Sequence, residues 1–158
     1  MFDVKQSASA FRDTIKSQPL ARLYDYWVSK SRGGRLPSRA QIDPLDVPEL
    51  LPIIFLVDVA WSRGEPDFRF RLVGSKITEI VGSDPTGRNF SSFYDDANLA
   101  PMTELYSRVA RHGEPFVNNS SAPFSDKDFV KLARLLLPLS EDGEQVDMIL
   151  GALVFENV

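Results

Sequence analysis

The period of the apolar positions changes several times along the chain, and each change marks an element. Ala8, Phe11 and Ile15 recur at helical spacing and predict a helix over about residues 5–16. Pro19 then opens a second helix, about 19–31, because proline is tolerated in a first turn. Leu20, Leu23, Tyr24 and Trp27 form its apolar stripe, and Gly33 and Gly34 end it. The stretch IIFLVDVA, 53–60, is apolar at both parities, whereas FRFRLVG, 68–74, alternates. That alternation puts Phe68, Phe70 and Leu72 on one face and Arg69 and Arg71 on the other, with WSRGEPD as the loop between the two strands. SKITEIVG is a short helical run, SDPTGRNF a turn, and about 97–112 a longer helix with Leu99, Met102, Leu105, Tyr106 and Val109 on one side. Gly113 should end it. Three strands close the chain, at about 115–122, 129–139 and 146–156, with Asp-Gly inside the SEDGEQ turn.

Between the first two helices and the first strand stands RAQIDPLDVPELLP, with Pro44, Pro48 and Pro52 four residues apart. Polyproline II repeats every three residues, so this spacing does not keep one face for a proline-reading partner. The prolines forbid one continuous helix. Asp43 can cap a turn beginning at Pro44, Pro48 can open another, and Val47 and Leu51, each before a proline, are expected to be extended. The segment is predicted to be a stiff staircase of single turns leading into the first strand. Arg39 is expected to lock it by pairing with Asp43 or Asp46.

Every strand-to-strand link is short, so the sheet should be antiparallel. Its first and last two strands are apolar on both faces, and such a sheet needs cover on both sides. The central helices can cover one side. The N-terminal helices, a second copy of the chain, or both must cover the other.

Composition narrows the chemistry. The 158 residues suit about one domain, with a net charge of -4 and no cysteine. Disulfides, thiolate metal sites and thiol nucleophiles are thereby excluded. His112 is the only histidine, so no histidine cluster exists for a metal. The acidic balance argues against nucleic acid, which asks for a basic footprint. The longest apolar block, LLPIIFLV, is far below the ~20 residues of a membrane span. The N-terminus has no secretory signal pattern, and the expected compartment is cytoplasmic.

Two stretches resemble the PAS fold, the small sensory domain of bacterial signalling proteins: FRFRLVGSKITEIVGSDPTGRNFSSF, with Gly82 and Gly87 in its turn, and LLLPLSEDGEQVDMILGALVFE, which is similar to the final PAS hairpin. Upstream, LYDYWVSKSRGGRLPSRAQIDPLDVPELLPIIFLVDV is similar to a family of short, stand-alone bacterial PAS proteins. There an aromatic helix, here Tyr24, Tyr26 and Trp27, leads to a P-x-R…IDP…P…LLP connector. The resemblance implies an α+β fold: a five-stranded antiparallel sheet, central helices on one face and N-terminal helices on the other. It divides the chain into a helical cap and connector, 1–45, and the PAS domain, 46–158. It also implies a sensory or regulatory module with no attached enzymatic output.

PAS domains often hold a ligand between the sheet and the central helices, in an apolar cavity with a few convergent polar groups. The candidate wall is Phe70, Leu72, Ile77, Ile80, Phe90, Phe93, Leu105, Val109, Phe116, Leu132 and Leu150; the bland reading is that these fill a dense core. Arg134 interrupts the apolar parity of Val130, Leu132 and Leu136. It either grips a carboxylate or phosphate, pairs with Asp58 or Asp147, or reaches water at an edge. Asn118, Asn119, Ser120 and Ser121 share a strand of which one parity should face the core, and Asn118 joins the candidate pocket. Leu20, Leu23, Tyr24 and Trp27 are candidates for an interface between two copies. His112 suits its helix C-terminus as a cation. Some haem-binding PAS domains use a histidine of this helix, but this one sits at the frayed end. Without cysteine, flavin photoadduct chemistry is excluded while non-covalent flavin is not, so no cofactor is assigned.

The expectation is a sensory or regulatory protein that binds a small apolar or amphipathic molecule, a signalling partner, or both, and forms a homodimer. The alternative is an interaction adaptor with a filled core. An enzyme is the third reading and would be signalled by a cleft gathering Asp58, His112 and an arginine; no nucleophile or tuned acid–base set is visible for it.

Overall fold

The computed structural model describes residues 3–124 and 126–156, with the backbone alone for 5–8. The expected place of Ala8 on the first apolar stripe therefore lies outside the described side chains. Helix α1 (Val4–Arg12) is shorter than the pattern predicts, and Ile15 is buried from the turn that follows it. Helix α2 (Gln18–Ser29) begins at Ser17, whose hydroxyl accepts from the Leu20 N–H, with Pro19 in the first turn.

The connector is a staircase of three 3₁₀ turns, Arg39–Gln41, Pro44–Asp46 and Pro48–Ile53. Asp43 accepts from the Leu45 N–H at 3.0 Å and caps the second. Leu51 is not extended: the last turn runs through Pro52, and the Ile54 N–H bonds the Leu51 carbonyl. Pro52 there is the second residue of a fresh turn, where no N–H is required. Arg39 does not pair with Asp43 or Asp46 but donates to the Ile42 carbonyl at 2.7 Å. The lock is Tyr26, whose hydroxyl accepts from the Asp43 N–H at 2.9 Å and donates to the Asp46 carboxylate at 2.7 Å.

Five strands follow: β1 (Ile54–Ser62), β2 (Glu65–Val73), β3 (Phe116–Ser121), β4 (Lys131–Leu139) and β5 (Met148–Phe155). They form one antiparallel sheet in the order β2-β1-β5-β4-β3. The β1–β2 link is tighter than the loop read from WSRGEPD. Arg63 (φ 55°) and Gly64 (φ 76°) make a two-residue turn of left-handed conformations, which matches strand twist, and the rest of that stretch is strand. A bulge in β1–β2 pairs Leu56 with Leu72 but Val57 with Phe70, leaving Arg71 as the extra residue.

Three helices cover the inner face: α3 (Ser75–Val81), α4 (Phe90–Phe93) and α5 (Asp96–His112). Helix α4 lies where the sequence reads as turn and loop. The segment before it is tacked to the edge of β2, with the Gly87 N–H on the Phe70 carbonyl at 2.7 Å and the Phe70 N–H on the Arg88 carbonyl at 3.0 Å. Gly113 (φ 65°) ends α5.

Helix α2 covers the outer face. Trp27 is fully buried and donates its indole N–H to the Pro138 carbonyl of β4 at 3.0 Å. Leu20, Leu23 and Tyr24 are buried beside it, within one continuous apolar core that includes β4 and β5. A sheet greasy on both sides thus finds both covers in its own chain.

Candidate functional site

Strand parity decides which side chains reach the space under the central helices. Arg134 on β4 is paired with Asn118 of β3 on one side and Leu153 of β5 on the other. It shares the inner face with Leu132 and Leu136. The helices close over it, and only 1% of it is exposed. Its Nη1 donates to Asn118 Oδ1 at 3.2 Å and Ser120 Oγ at 3.1 Å, and its Nη2 faces Met102 Sδ at 3.9 Å. The Tyr106 hydroxyl is a further side-chain partner. All four partners are neutral, and none of the ion pairs among the described residues involves Arg134. The two carboxylates expected beside it are engaged elsewhere: Asp58 binds Arg71 at 2.9 Å, and Asp147 accepts from the Glu141 N–H at 2.8 Å.

Burial pushes the Tyr106 hydroxyl up to about 12, against the pull of Arg134. Burial likewise raises Tyr94 well above its ordinary value, helped by Tyr106 and opposed by Arg134. Both phenols are therefore neutral at physiological pH, and among the described residues Arg134 is the one buried charged side chain.

Arg134 borders a cavity of about 20 Å³, walled by Phe55, Phe70, Val73, Ile77, Val81, Phe93, Tyr94, Tyr106, Phe124 and Leu153 among others. That volume holds about one water. Phe55 reaches over the sheet because its partner is Gly151: a Cβ there would come within 2.2 Å of the ring. Outside the cavity lies a surface recess of about 370 Å³ whose lining shares Val81, Phe93, Tyr94, Pro123 and Phe124. Those shared residues form a mostly aromatic partition, with Phe93 and Phe124 edge-on at 5.9 Å.

Of the candidate wall, Phe70, Ile77, Phe93 and Arg134 line this cavity, and Asn118 holds Arg134 in place. Phe90 stands just behind, ring to ring with Phe70 at 5.0 Å and with Tyr106 at 4.8 Å. Val109 and Leu132 are buried in the core, Leu105 is half-buried, and Phe116 lies under the Arg108 guanidinium. Ile80 turns away into a separate surface hollow beside Phe129 and Val130. Leu72 and Leu150 stand on the outer face. For Leu72 the bulge reverses the parity of β2, and Leu150 alternates with the inward-facing Gly151. Leu20, Leu23, Tyr24 and Trp27 are sealed within the protomer at 0–1% exposure, so contact between two copies would need another surface.

Sequence reasoning missed Phe55, Tyr94, Phe124 and Leu153. A glycine opposite an aromatic in paired strands would have indicated Phe55, had the register been known. Asp58 is on the outer face and His112 is exposed at the end of α5, so no cleft gathers them. Among the described residues there is no cluster of acidic residues and histidine fit for a metal, and no helix long and apolar enough to cross a membrane.

A sequence model of the PAS domain family matches residues 15–154. No curated protein sequence matches. Among solved structures, the PAS domain of Bordetella pertussis BvgS is 17% identical, with a TM-score of 0.50 over 72% of this chain and 86% of that one. A PAS-B domain variant of Drosophila melanogaster Cycle with bound glycerol is 15% identical, TM-score 0.47, covering 65% of this chain and 98% of that one. The N-terminal domain of a Marinobacter aquaeolei diguanylate cyclase with a PAS/PAC sensor is 11% identical, TM-score 0.45, covering 64% and 93%. At these identities the likeness concerns the fold alone.

Proposed function

Because the chain belongs to the PAS domain family, a fold family of signalling sensors, we propose that it is a non-catalytic sensory module whose input is a small molecule held between the sheet and α3–α5. One observation carries this reading: Arg134 is a buried guanidinium whose partners among the described residues are all neutral. A charge withdrawn from water without a counter-ion is costly, and such groups in proteins are normally paired. A ligand that completes the site would relieve that cost. It would also shift the protein toward whichever conformation binds it better, which is the physical requirement for a signal. The partition of Phe93, Tyr94 and Phe124 is the natural mover, since displacing it would join the buried cavity at Arg134 to a recess of about 370 Å³, within the range of ordinary small-molecule sites.

A second reading, an interaction adaptor with a filled core, is favoured by the small cavity volume of about 20 Å³. Native mass spectrometry of the purified protein separates the two. The sensory reading expects a non-covalent adduct that disappears on denaturation. A bare mass, with no small molecule able to raise the melting temperature, overturns it in favour of the adaptor.

A further inference from the structure

We propose that the ligand is an amphipathic monocarboxylate, its carboxylate seated on Arg134 and its apolar body crossing the Phe93–Phe124 partition into the recess. The inference rests on the sensory reading above and names its chemistry. The sign comes from charge balance. Among the described residues Arg134 is the one buried charged side chain, and its partners Asn118, Ser120, Met102 and Tyr106 contribute no charge. One negative charge neutralises the site; a dianion would leave a net negative charge buried, which is again unfavourable.

The shape comes from the donors. A guanidinium offers five N–H groups in a flat fork that matches a carboxylate with two parallel bonds. Nη1 is engaged by two oxygens, while Nη2 faces a thioether sulfur at 3.9 Å, a weak acceptor that a carboxylate oxygen would outcompete. Tyr94 and Tyr106 line the same space, the Tyr106 hydroxyl beside Arg134, and both phenols keep the proton that an anion could accept.

The apolar body follows from the rest of the wall, which is almost wholly aromatic and aliphatic. The recess beyond it carries Asp95 and Asp126 against a single Arg88, which already donates to the Ser92 carbonyl and lies over the Phe93 ring. Two carboxylates at that end disfavour a second acid group on the ligand, so the occupant has a charged head inside and an uncharged tail outside.

The test is a set of matched probes on the full chain: benzoate, phenylacetate and octanoate, each beside its primary amide, with phthalate as the dianion. Melting temperature and isothermal titration are read for wild type, Arg134→Met and Arg134→Lys. At least one monocarboxylate should bind wild type about tenfold or more tighter than its amide, since a hydrogen bond to a charged group contributes about 1.5–3 kcal/mol. Arg134→Met should lose that preference while keeping its circular dichroism, and Arg134→Lys should keep part of it. Should Arg134→Met fail to fold, the acid–amide comparison in wild type decides alone. Equal binding of acids and amides, or of phthalate, overturns the monocarboxylate but leaves a sensor of another ligand. An adduct in native mass spectrometry with no response to any acid does the same. No adduct and no response to any probe overturns the sensory reading as well.

Discussion

Replacing Trp27 by alanine removes the largest side chain that covers the outer face of the sheet. The indole is wholly buried between α2 and the sheet, tilted against Tyr24 at 5.7 Å. Truncating a buried tryptophan costs about 3–5 kcal/mol. The Pro138 carbonyl also loses its indole donor, worth about 1 kcal/mol more. We therefore expect a total loss near 5 kcal/mol. With an m-value of about 2 kcal/mol per molar urea, the midpoint should fall by roughly 2.5 M. Urea unfolding followed by far-ultraviolet circular dichroism reads this directly. Trp27→Phe isolates the two contributions, because it keeps an aromatic ring and removes the N–H. It should cost far less than the alanine variant. Light scattering at several protein concentrations should show the same mass for both variants and wild type, because Trp27 is buried inside one chain. A midpoint shift below about 0.5 M for Trp27→Ala would refute the covering role of α2, as would a loss of mass without a loss of stability.

Tyr26→Phe removes the hydroxyl that joins α2 to the connector through Asp43 and Asp46, and should cost about 1–2 kcal/mol in urea unfolding. Gly74→Ala should cost at least as much, about 1–3 kcal/mol, because the new methyl would meet the Pro52 and Leu51 carbonyl oxygens at 2.4 and 2.5 Å, and backbone cannot swing aside; an unchanged melting temperature would contradict this packing. At alkaline pH the Tyr106 hydroxyl ionises more readily in the unfolded chain, at 10.0, than in the fold, at about 12. Its contribution, on the order of 3 kcal/mol, is full below about pH 10 and lost as pH rises toward about 12, with Tyr94 acting in the same direction; Tyr106→Phe should flatten the slope of stability against pH across that window.

The fold was legible where one period ran unbroken over a whole element. The stripe of Leu20, Leu23, Tyr24 and Trp27 specifies α2, and the double-faced apolarity of β1, β4 and β5 requires two covers. Proline spacing gave the connector its character, although Pro52 entered a turn that its neighbour was expected to leave. A turn tolerates proline wherever the missing N–H has no partner to lose, and single-residue rules do not register that.

Less of the site was legible. Arg134 could be flagged because a charge broke an apolar parity, but its partners lie on β3 and α5, and pairing between strands is a tertiary fact. Leu72 lies on the face opposite to the one its alternation predicts, because one bulged residue, Arg71, reverses parity without leaving any mark on composition. Phe55 escaped because its role depends on facing Gly151, nearly a hundred residues away in sequence. Helix α4 is one turn long, too short for periodicity to appear at all.

The central claim is that Arg134 is a buried charge with no acid among the described residues paired to it. The most direct measurement is the unfolding free energy of ligand-free Arg134→Met against wild type. Arg134→Met removes the cost of a buried charge but leaves Asn118 and Ser120 without their donor, and with the two effects opposed stability should stay within about 1 kcal/mol or rise. A loss of about 3 kcal/mol or more would mean that its bonds to Asn118, Ser120 and Tyr106 already compensate Arg134 as a structural cation, and the site would then have no charge waiting for a ligand.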